Sequence, residues 1–408
     1  MLYIIVNFLS IFVFIGIAYL FSNNRKQVDW KSVGIVVALE LVLGWFFMSF
    51  SWGQSIVKGA ADGFNWLISV ANTGIAFALP DWLHPATGQP NFVTSALLPM
   101  LLVVPMFDIL NYIGFLPWVV RWIGRGLSFI TGQPKFEAFF SVEMMFLGNT
   151  EVLAVSKPQL NAMSAQRNYT LALMSMSCIT ASIIGAYTTM APGEYVMAAV
   201  PLNILGAIVI STIMNPVHIA ADEDVVVSVH KEGEKREPFF SFLGDSILGA
   251  GKLILIITAT VIAFVALAAL VDHLFSLTGL KWLSLENIFG VILFPFAWLL
   301  GFDPSQAFQL AQYMGTKLVT NEFVVMGEIS KNIMAGKALF ANPHASAVLT
   351  VFLTSFANFS TVGMILGAFK GIVSREKNDY IAAHVPQMLV AGILVSLLSA
   401  ACAGLFVW

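Results

Sequence analysis

Long apolar runs follow one another along most of the chain. A helix needs about 20 apolar residues to cross the hydrocarbon core of a bilayer. The runs near or above that length are 3–22, 33–50, 94–116, 169–190, 194–215, 247–271, 346–369 and 385–407. The pattern predicts an all-α polytopic membrane protein with about eight transmembrane helices. The first run lacks a cleavage signal and is predicted to be a span.

The segment 117–131 differs from these runs in its pattern. It places Arg121 and Arg125 one helical turn apart among aromatic and aliphatic side chains. An amphipathic helix with basic residues on its polar face lies in the membrane interface instead of crossing the bilayer. We therefore predict an interfacial helix at this segment.

Two other apolar segments, 132–160 and 285–331, are interrupted by Gly, Pro, Asn and acidic residues. Each contains a similar tetrapeptide: Asn149-Thr150-Glu151-Val152 in the first, and Thr320-Asn321-Glu322-Phe323 in the second. An interrupted helix leaves backbone groups that only a cavity or a ligand can satisfy inside a membrane. Broken segments at matching positions of two halves therefore indicate a transporter with its binding site there.

Composition narrows the class of protein. Hydrophobic residues make up 58% of the chain and charged residues only 11%, against about 25% charged residues in a typical soluble domain. The net charge of −3 provides no basic patch, which excludes nucleic acid as a partner. Cys178 and Cys402 lie in apolar runs, so we expect no disulfide.

The sequence contains no P-loop, dinucleotide fingerprint or metal-ligand spacing. We therefore expect no cofactor, no metal site and no ATP-driven transport. Without a set of catalytic residues, the protein is not expected to be an enzyme.

The acidic residues of the interrupted segments are the candidates for binding chemistry. A carboxylate at bilayer depth costs about 2.5–3.5 kcal/mol, so Glu151 and Glu322 need a partner or a function. Each either accepts hydrogen bonds from a solute or caps a neighbouring half-helix. Asn358 offers its amide to a solute or to another helix. Phe356 either stacks on a flat solute or packs in the usual way.

Three more charged residues lie at membrane depth. Asp108 is expected to pair with an arginine of the interfacial segment, Arg121 or Arg125. Glu143 either faces the interface or takes up a proton. Lys317 either extends to the interface or neutralises one of the acids.

Other functions remain open on physical grounds. A channel would lack a solute-sized polar cluster, and an intramembrane enzyme would need a nucleophile with a base or a signature aspartate pair. A carrier of an organic anion would need an arginine near its acids, and neither glutamate motif has one. A neutral, hydroxyl-rich solute fits two carboxylates better, because carboxylates accept hydrogen bonds from hydroxyl groups.

Four motifs of this chain, taken together and in this order, resemble those of the concentrative nucleoside transporters. They are Gly148-Asn149-Thr150-Glu151, Ser182-Ile183-Ile184-Gly185-Ala186-Tyr187, Thr320-Asn321-Glu322-Phe323-Val324 and Ser355-Phe356-Ala357-Asn358-Phe359-Ser360-Thr361. The resemblance covers nearly the whole chain. It implies a nucleoside symporter in the lipid bilayer of the bacterial cytoplasmic (inner) membrane, assembled as a homotrimer.

The resemblance also implies an architecture. Two re-entrant hairpins and two broken helices, arranged as inverted repeats, would form a transport domain that moves like an elevator against a scaffold. The parts implied for this chain are peripheral scaffold helices at 1–116, an interfacial amphipathic helix at 117–131, a first transport repeat at 132–220, a polar cytoplasmic linker at 221–246, a scaffold or trimerisation helix at 247–283 and a second transport repeat at 284–408.

Residue roles follow from the resemblance as well. The residues expected to face the nucleobase are Gly148, Asn149, Thr150, Glu151 and Ile183. Those expected to bind sugar hydroxyls are Glu322, Asn358 and Thr361, with Phe356 close by. Asn149 stands where the common motif has Gln, and its shorter side chain enlarges the base pocket. This departure favours purine nucleosides.

A second departure concerns the coupling ion. Sodium-coupled relatives have Asn and Ser where this chain has Met144 and Cys178, and Leu147 and Ile179 complete the same set of positions. Thioether and thiol groups are soft ligands that suit sodium poorly. We therefore predict coupling to protons, with sodium coupling as the alternative. The candidate proton carriers are Glu143, Glu151 and Glu322.

Overall fold

The structure is a computed structural model that describes residues 2–84, 91–177, 179–219, 223–224, 237–280 and 282–408. Asn149 and Thr150 are described by their helical backbone alone. Cys178 and most of the predicted linker lie outside the described residues. Within the described ranges the regular structure is helical throughout, which confirms the all-α prediction.

The N-terminal part contains six helices in the ranges described. They are α1 (Leu2–Leu20), α2 (Trp30–Met48), α3 (Ser51–Ala78), α4 (Pro80–Leu83), α5 (Met100–Tyr112) and α6 (Phe115–Thr131). A π-helical turn, Val93–Leu97, precedes α5 and extends it to the length of a span. Helix α6 covers the segment predicted to be interfacial. Its buried residues form one stripe, at Leu116, Val120, Gly124, Leu127 and Thr131.

The middle part contains the first interrupted segment. Its helices are α7 (Lys135–Leu147), α8 (Asn149–Val155), α9 (Lys157–Ala162), α10 (Ala165–Ser175), α11 (Ala181–Thr188) and α12 (Gly193–Met214). A single residue, Gly148, separates α7 from α8. Its φ is +84°, and a Cβ atom there would lie 2.6 Å from the Thr180 Oγ1 atom. Glycine is therefore needed both for the backbone angle and for the close approach.

The C-terminal part repeats this order of elements. Its helices are α13 (Phe239–Ser276), α14 (Leu285–Leu299), α15 (Pro304–Val319), α16 (Glu322–Met334), α17 (Pro343–Leu353), α18 (Phe359–Ile372), α19 (Arg375–Ala383) and α20 (Val385–Gly404). Residues 320–321 separate α15 from α16, and residues 354–358 separate α17 from α18.

Two of the apolar runs are therefore not single helices. The run 169–190 is divided into α10 and α11, and the run 346–369 into α17 and α18. Six helices in the described ranges are long and apolar enough to span a membrane. The physical reason for the division is local. Asn358 leaves the helical conformation and its side chain accepts a hydrogen bond from the Thr361 amide, which starts a new helix.

The predicted linker 221–246 is too long at its C-terminal end. Helix α13 begins at Phe239 instead of near 247. Pro238 stands just before the first turn, where a proline is tolerated. The Phe239 and Phe242 rings then pack against Tyr112, with centroid distances of 5.8 and 4.6 Å. These contacts stabilise a helix that the polar composition of the preceding residues does not suggest.

Helices α12 and α20 lie in the core, whereas α13 lies outside it. Helix α12 packs against α2, α3, α17 and α20, and 78% of its most apolar window is buried. Only 6% of the corresponding window of α13 is buried. The apolar side chains of α13 therefore face lipid or another protein surface.

Candidate solute-binding site

The interruptions between α7 and α8, α10 and α11, and α17 and α18 meet in one region with the ends of α15 and α16. The turn at Gly148 lies against Thr180, at the interruption between α10 and α11. Lys317, near the end of α15, contacts the interruption between α17 and α18. Tyr187 of α11 contacts Glu322 of α16 and so joins the two halves.

Glu322 is the centre of a buried polar cluster. Its Oε1 atom accepts a hydrogen bond of 3.0 Å from the Tyr187 hydroxyl, and its Oε2 atom accepts one of 3.1 Å from the Asn358 amide. The Asn358 Oδ1 atom accepts hydrogen bonds of 2.9 and 3.1 Å from the Thr361 backbone amide and hydroxyl. The structure thus brings together Glu322, Asn358 and Thr361, the residues expected to bind sugar hydroxyls.

For Asn358 the structure shows the contact with another helix, one of the two alternatives that the sequence left open, and solute binding stays a prediction. Its side chain caps α18 and at the same time joins α18 to α16 through Glu322. Ionised carboxylates accept up to about four hydrogen bonds. Glu322 therefore retains capacity to bind hydroxyl groups of a solute.

The residues expected to face the nucleobase do not form a comparable hydrogen-bonded cluster among the described contacts. Ile183 is buried in α11, and Phe356 is buried in the interruption between α17 and α18. Glu151 lies in the first turn of α8 with an exposed side chain. The side chains of Asn149 and Thr150 lie outside the described residues.

Two of the four positions compared with sodium-coupled relatives, which are predicted to suit sodium poorly, lie beside a small cavity. Met144 and Ile179 are buried and line this cavity of about 10 Å³ together with Ser141, Ser177 and Asn203. A cavity of that volume has room for about one water molecule. Leu147 is half-buried at the end of α7, and Cys178 lies outside the described residues.

Glu143, one of the candidate proton carriers, is a buried side chain of α7. Its Oε2 atom has no hydrogen-bond partner among the described residues. Uptake of a proton by Glu143 stays a prediction.

The structure excludes one of the two alternatives left open for Lys317, and the expectation for Asp108 was wrong. Lys317 does not extend to the interface, because its side chain is completely buried against α17. Asp108 does not pair with an arginine; it accepts a hydrogen bond from the Ser246 hydroxyl of α13. The reason is the early start of α13, which places Ser246 beside α5.

Sequence reasoning missed two buried polar residues, one inside the candidate site and one outside it. Tyr187 belongs to the Ser182–Tyr187 motif and lies one helical turn after Ile183, so its spacing could have placed it on the same face. Glu40 is completely buried in α2, where its Oε1 atom accepts a 3.3 Å hydrogen bond from Ser399 of α20. It lies in an uninterrupted span, and no local pattern distinguished it.

Comparison with known protein families gives two matches. A family model described as "Na+ dependent nucleoside transporter C-terminus" matches residues 195–404, and one described as "Na+ dependent nucleoside transporter N-terminus" matches residues 9–82. Together they include α1 to α3 and the region from α12 to α20.

Similar proteins with curated descriptions include two bacterial transporters. The purine nucleoside transport protein NupG of Bacillus subtilis is 44% identical over 407 residues, covering 100% of both chains. The nucleoside permease NupC of Helicobacter pylori is 26% identical over 401 residues, covering 96% of this chain and 95% of its own.

Solved structures of a transporter named CNTnw have the same fold. The substrate-bound, inward-facing structure matches with a TM-score of 0.90 at 23% identity, covering 99% of this chain and 98% of the other. An outward-facing variant matches with a TM-score of 0.91 at 22% identity over 99% and 98% of the two chains. Both states match equally well, so the similarity concerns the fold and not the conformational state.

Proposed function

Because the chain belongs to the concentrative nucleoside transporters, whose family models are described as Na+ dependent nucleoside transporters, we propose that it imports nucleosides by secondary active transport. The observation that carries this proposal is the buried cluster of Glu322, Asn358 and Thr361 at the interruptions of two helices. A carboxylate and an amide held together in this way are suited to the vicinal hydroxyl groups of a ribose.

Purine nucleosides are the substrates that we propose first. Asn149 leaves more room for the base than the Gln of the common motif. The relative that is 44% identical is described as a purine nucleoside transport protein, which supports the same preference.

Protons are the coupling ion that we propose. Met144 offers a thioether at a position where sodium would need a hard oxygen ligand. Glu143 offers a buried carboxyl one residue before it, with an oxygen atom that lacks a partner in the described part of the chain. The alternative is sodium coupling, which the description of the family models favours.

We further propose that the chain assembles as a homotrimer in the cytoplasmic membrane of a bacterium and moves as an elevator. The exposed apolar surface of α13 suits contacts between copies of the chain in a homotrimer. The paired hairpins and broken helices suit an elevator movement of the transport domain in the cytoplasmic membrane of a bacterium. A carrier of another small polar solute is the remaining alternative.

Uptake of labelled adenosine, guanosine and uridine into proteoliposomes tests the function. We expect accumulation under an inward proton gradient without sodium, loss of that accumulation with an uncoupler, and faster uptake of the purine nucleosides. Accumulation that requires a sodium gradient would contradict proton coupling and leave nucleoside transport intact. The absence of nucleoside uptake under either gradient, by folded protein, would contradict the function itself.

A further inference from the structure

Helix α6 has three distinct faces. Its buried stripe packs against α7, where a Cβ atom on Gly124 would lie only 3.1 Å from the Phe139 Cα atom. Arg121 and Arg125 lie on a second face, exposed and one helical turn apart. The third face exposes large apolar side chains, at Trp118, Trp122, Phe129 and Ile130. Because the buried stripe is held against α7, the other two faces stay directed away from the protein.

The two arginines of α6 have no acidic partner in the described part of the chain. The ion pairs found there involve Lys135, Arg167 and Arg375 instead. The Arg121 Nε atom donates a 3.1 Å hydrogen bond to the Pro117 backbone oxygen, within the same helix. This bond uses one of the five N–H donors of a guanidinium group. Most of the donors on this face are therefore available to an external acceptor.

The acids nearest to α6 in the sequence are already engaged. Residues 109–136 include three basic residues and contain neither Asp nor Glu. Of the two acids that flank this range, Asp108 accepts a hydrogen bond from the Ser246 hydroxyl. The other, Glu137, binds the Arg167 guanidinium through both of its oxygen atoms, at 2.6 and 2.9 Å. The described part of the chain thus leaves the positive charge of α6 uncompensated.

Both ends of α6 lie beside the ends of the polar linker. The Tyr112 hydroxyl, shortly before α6, donates a 2.8 Å hydrogen bond to the Glu237 backbone oxygen. The Lys135 backbone amide, shortly after α6, donates one of 2.7 Å to the Asp224 carboxylate. Since the linker is predicted to be cytoplasmic, α6 belongs on the cytoplasmic side as well. The cytoplasmic leaflet is the one whose anionic lipids attract basic segments.

Each arginine of α6 has a tryptophan beside it on the helix surface. Trp118 and Trp122 precede Arg121 and Arg125 by three residues each, a spacing that makes two residues neighbours on a helix. The tryptophan side chains are 54% and 67% exposed. Tryptophan is enriched at the level of lipid headgroups, and arginine binds phosphate through paired hydrogen bonds. The basic and apolar faces therefore match the two parts of a phospholipid.

We propose that α6 is a binding site for anionic phospholipids, in which Arg121 and Arg125 bind the headgroup phosphates and the apolar face lies against the acyl chains. A lipid fits this helix better than a protein partner, because uncompensated basic charge and exposed apolar rings lie side by side on it. Anionic lipids are favoured over zwitterionic ones, whose own amine neutralises the phosphate. The site is separate from the sugar cluster and does not depend on which solute is transported.

Lipid competition on the purified protein tests the site. Native mass spectrometry counts the phosphatidylglycerol and phosphatidylcholine molecules that stay bound after incubation with an equimolar mixture. The test variant carries Arg121→Gln and Arg125→Gln. Its matched control carries Lys331→Gln and Lys337→Gln, which removes the same charge from exposed positions at and after α16. A separate arm adds glycerol phosphate, which offers a phosphate without acyl chains.

We expect the wild-type protein to bind phosphatidylglycerol in preference to phosphatidylcholine. The preference should decrease as the salt concentration rises, because salt screens exposed charges. The arginine variant should bind phosphatidylglycerol about thirtyfold more weakly, since each basic side chain near an anionic leaflet contributes about fivefold. The lysine control should keep the wild-type preference, and glycerol phosphate should not displace the bound lipid.

Three outcomes would overturn the proposal. Equal binding of the two lipids by the wild-type protein would exclude a site for anionic lipid, and this measurement needs no variant. Displacement of the lipid by glycerol phosphate would indicate a site for free phosphate instead. An unchanged lipid preference in the arginine variant would exclude the two arginines. A smaller particle in light scattering of that variant would then assign them to contacts between copies of the chain.

Discussion

At the scale of single residues, Glu322 carries the greatest part of the proposed recognition. Both of its oxygen atoms already hold neutral donors, Tyr187 and Asn358, so the carboxylate has a fixed orientation. A fixed acceptor loses little entropy when a sugar binds to it. The two donors therefore prepare the site before the solute arrives.

Replacement of Glu322 by Gln should weaken adenosine binding by about tenfold to a hundredfold. The reason is that a hydrogen bond to a charged acceptor contributes about 1.5–3 kcal/mol. Isothermal titration of adenosine against 2′,3′-dideoxyadenosine provides the measurement, and the dideoxy analogue should lose much less. The matched control is Glu328→Gln, at an exposed position of the same helix. Equal losses for both ligands would argue against sugar binding by Glu322.

Replacement of Tyr187 by Phe should have a smaller effect, about twofold to tenfold on the adenosine Kd, because one hydrogen bond contributes about 0.5–1.5 kcal/mol. The change removes the donor to Glu322 and keeps the aromatic contact with Phe323, whose ring centroid lies 5.1 Å away. Tyr195→Phe, at a half-buried position of α12, is the control. Tighter binding by Tyr187→Phe would mean that the hydroxyl competes with the sugar.

The sequence indicated Glu322, Asn358 and Thr361 as candidates for one site, but it did not indicate the contacts that join them. Glu322, Asn358 and Thr361 belong to local motifs, which a single sequence displays. Tyr187 and Glu322 are separated by 135 positions along the chain. Lys317 reaches Ser355 across 38 positions. Contacts of that kind depend on how the helices pack, which the local pattern does not specify.

At the scale of the helices, the interruptions are the features that matter most. The apolar content of α10 with α11, and of α17 with α18, predicted continuous spans. Hydropathy measures whether a segment can lie in a membrane and does not report whether its helix continues. The interruptions arise from side chains that compete with the helix for backbone hydrogen bonds, as Asn358 does at α18.

Replacement of Gly148 by Ala should strain the turn between α7 and α8. The backbone angles there, φ +84° and ψ 167°, are nearly exclusive to glycine, and another residue costs about 1–3 kcal/mol in such a region. The added Cβ would also approach Thr180. We expect a lower melting temperature and weaker adenosine binding, measured by thermal unfolding and titration.

Gly126→Ala is the control for this change, because Gly126 lies within α6 and a Cβ there would meet open space. Alanine is the better helix former, so this variant should be at least as stable as the wild type. Unchanged stability and binding in Gly148→Ala would show that the turn tolerates a side chain.

At the scale of the whole molecule, the inner and outer helices have different surroundings. The all-α class and the positions of the hairpins could be predicted from apolar runs and their interruptions. The start of α13 could not, because it depends on Phe239 and Phe242 packing against Tyr112. Which spans lie in the core could not be predicted either, because α12 and α13 are both strongly apolar and differ in what surrounds them.

Replacement of Glu143 by Gln tests how the molecule couples transport to an ion. We expect accumulation of adenosine driven by a proton gradient to be lost, because the amide cannot take up and release a proton. Exchange of adenosine across the membrane without a gradient should remain, because the sugar cluster is unchanged. Both rates are measured in proteoliposomes, with Glu376→Gln of the exposed helix α19 as the control. Retained accumulation in Glu143→Gln would assign the proton to another group.

Lys317 and Glu322 are both buried in the same half of the chain, and their opposite charges have an electrical consequence. One elementary charge that crosses the full membrane potential changes in energy by about 2.3 kcal/mol per 100 mV. If the second repeat moves with both groups ionised, their charges cancel, and this half of the carrier contributes nothing to that energy. The net charge that moves would then be set by the carboxyl that takes up the coupling proton. This group is neutral when loaded and negative when empty, so the return of the empty carrier should carry the current, and a voltage jump should change the return rate.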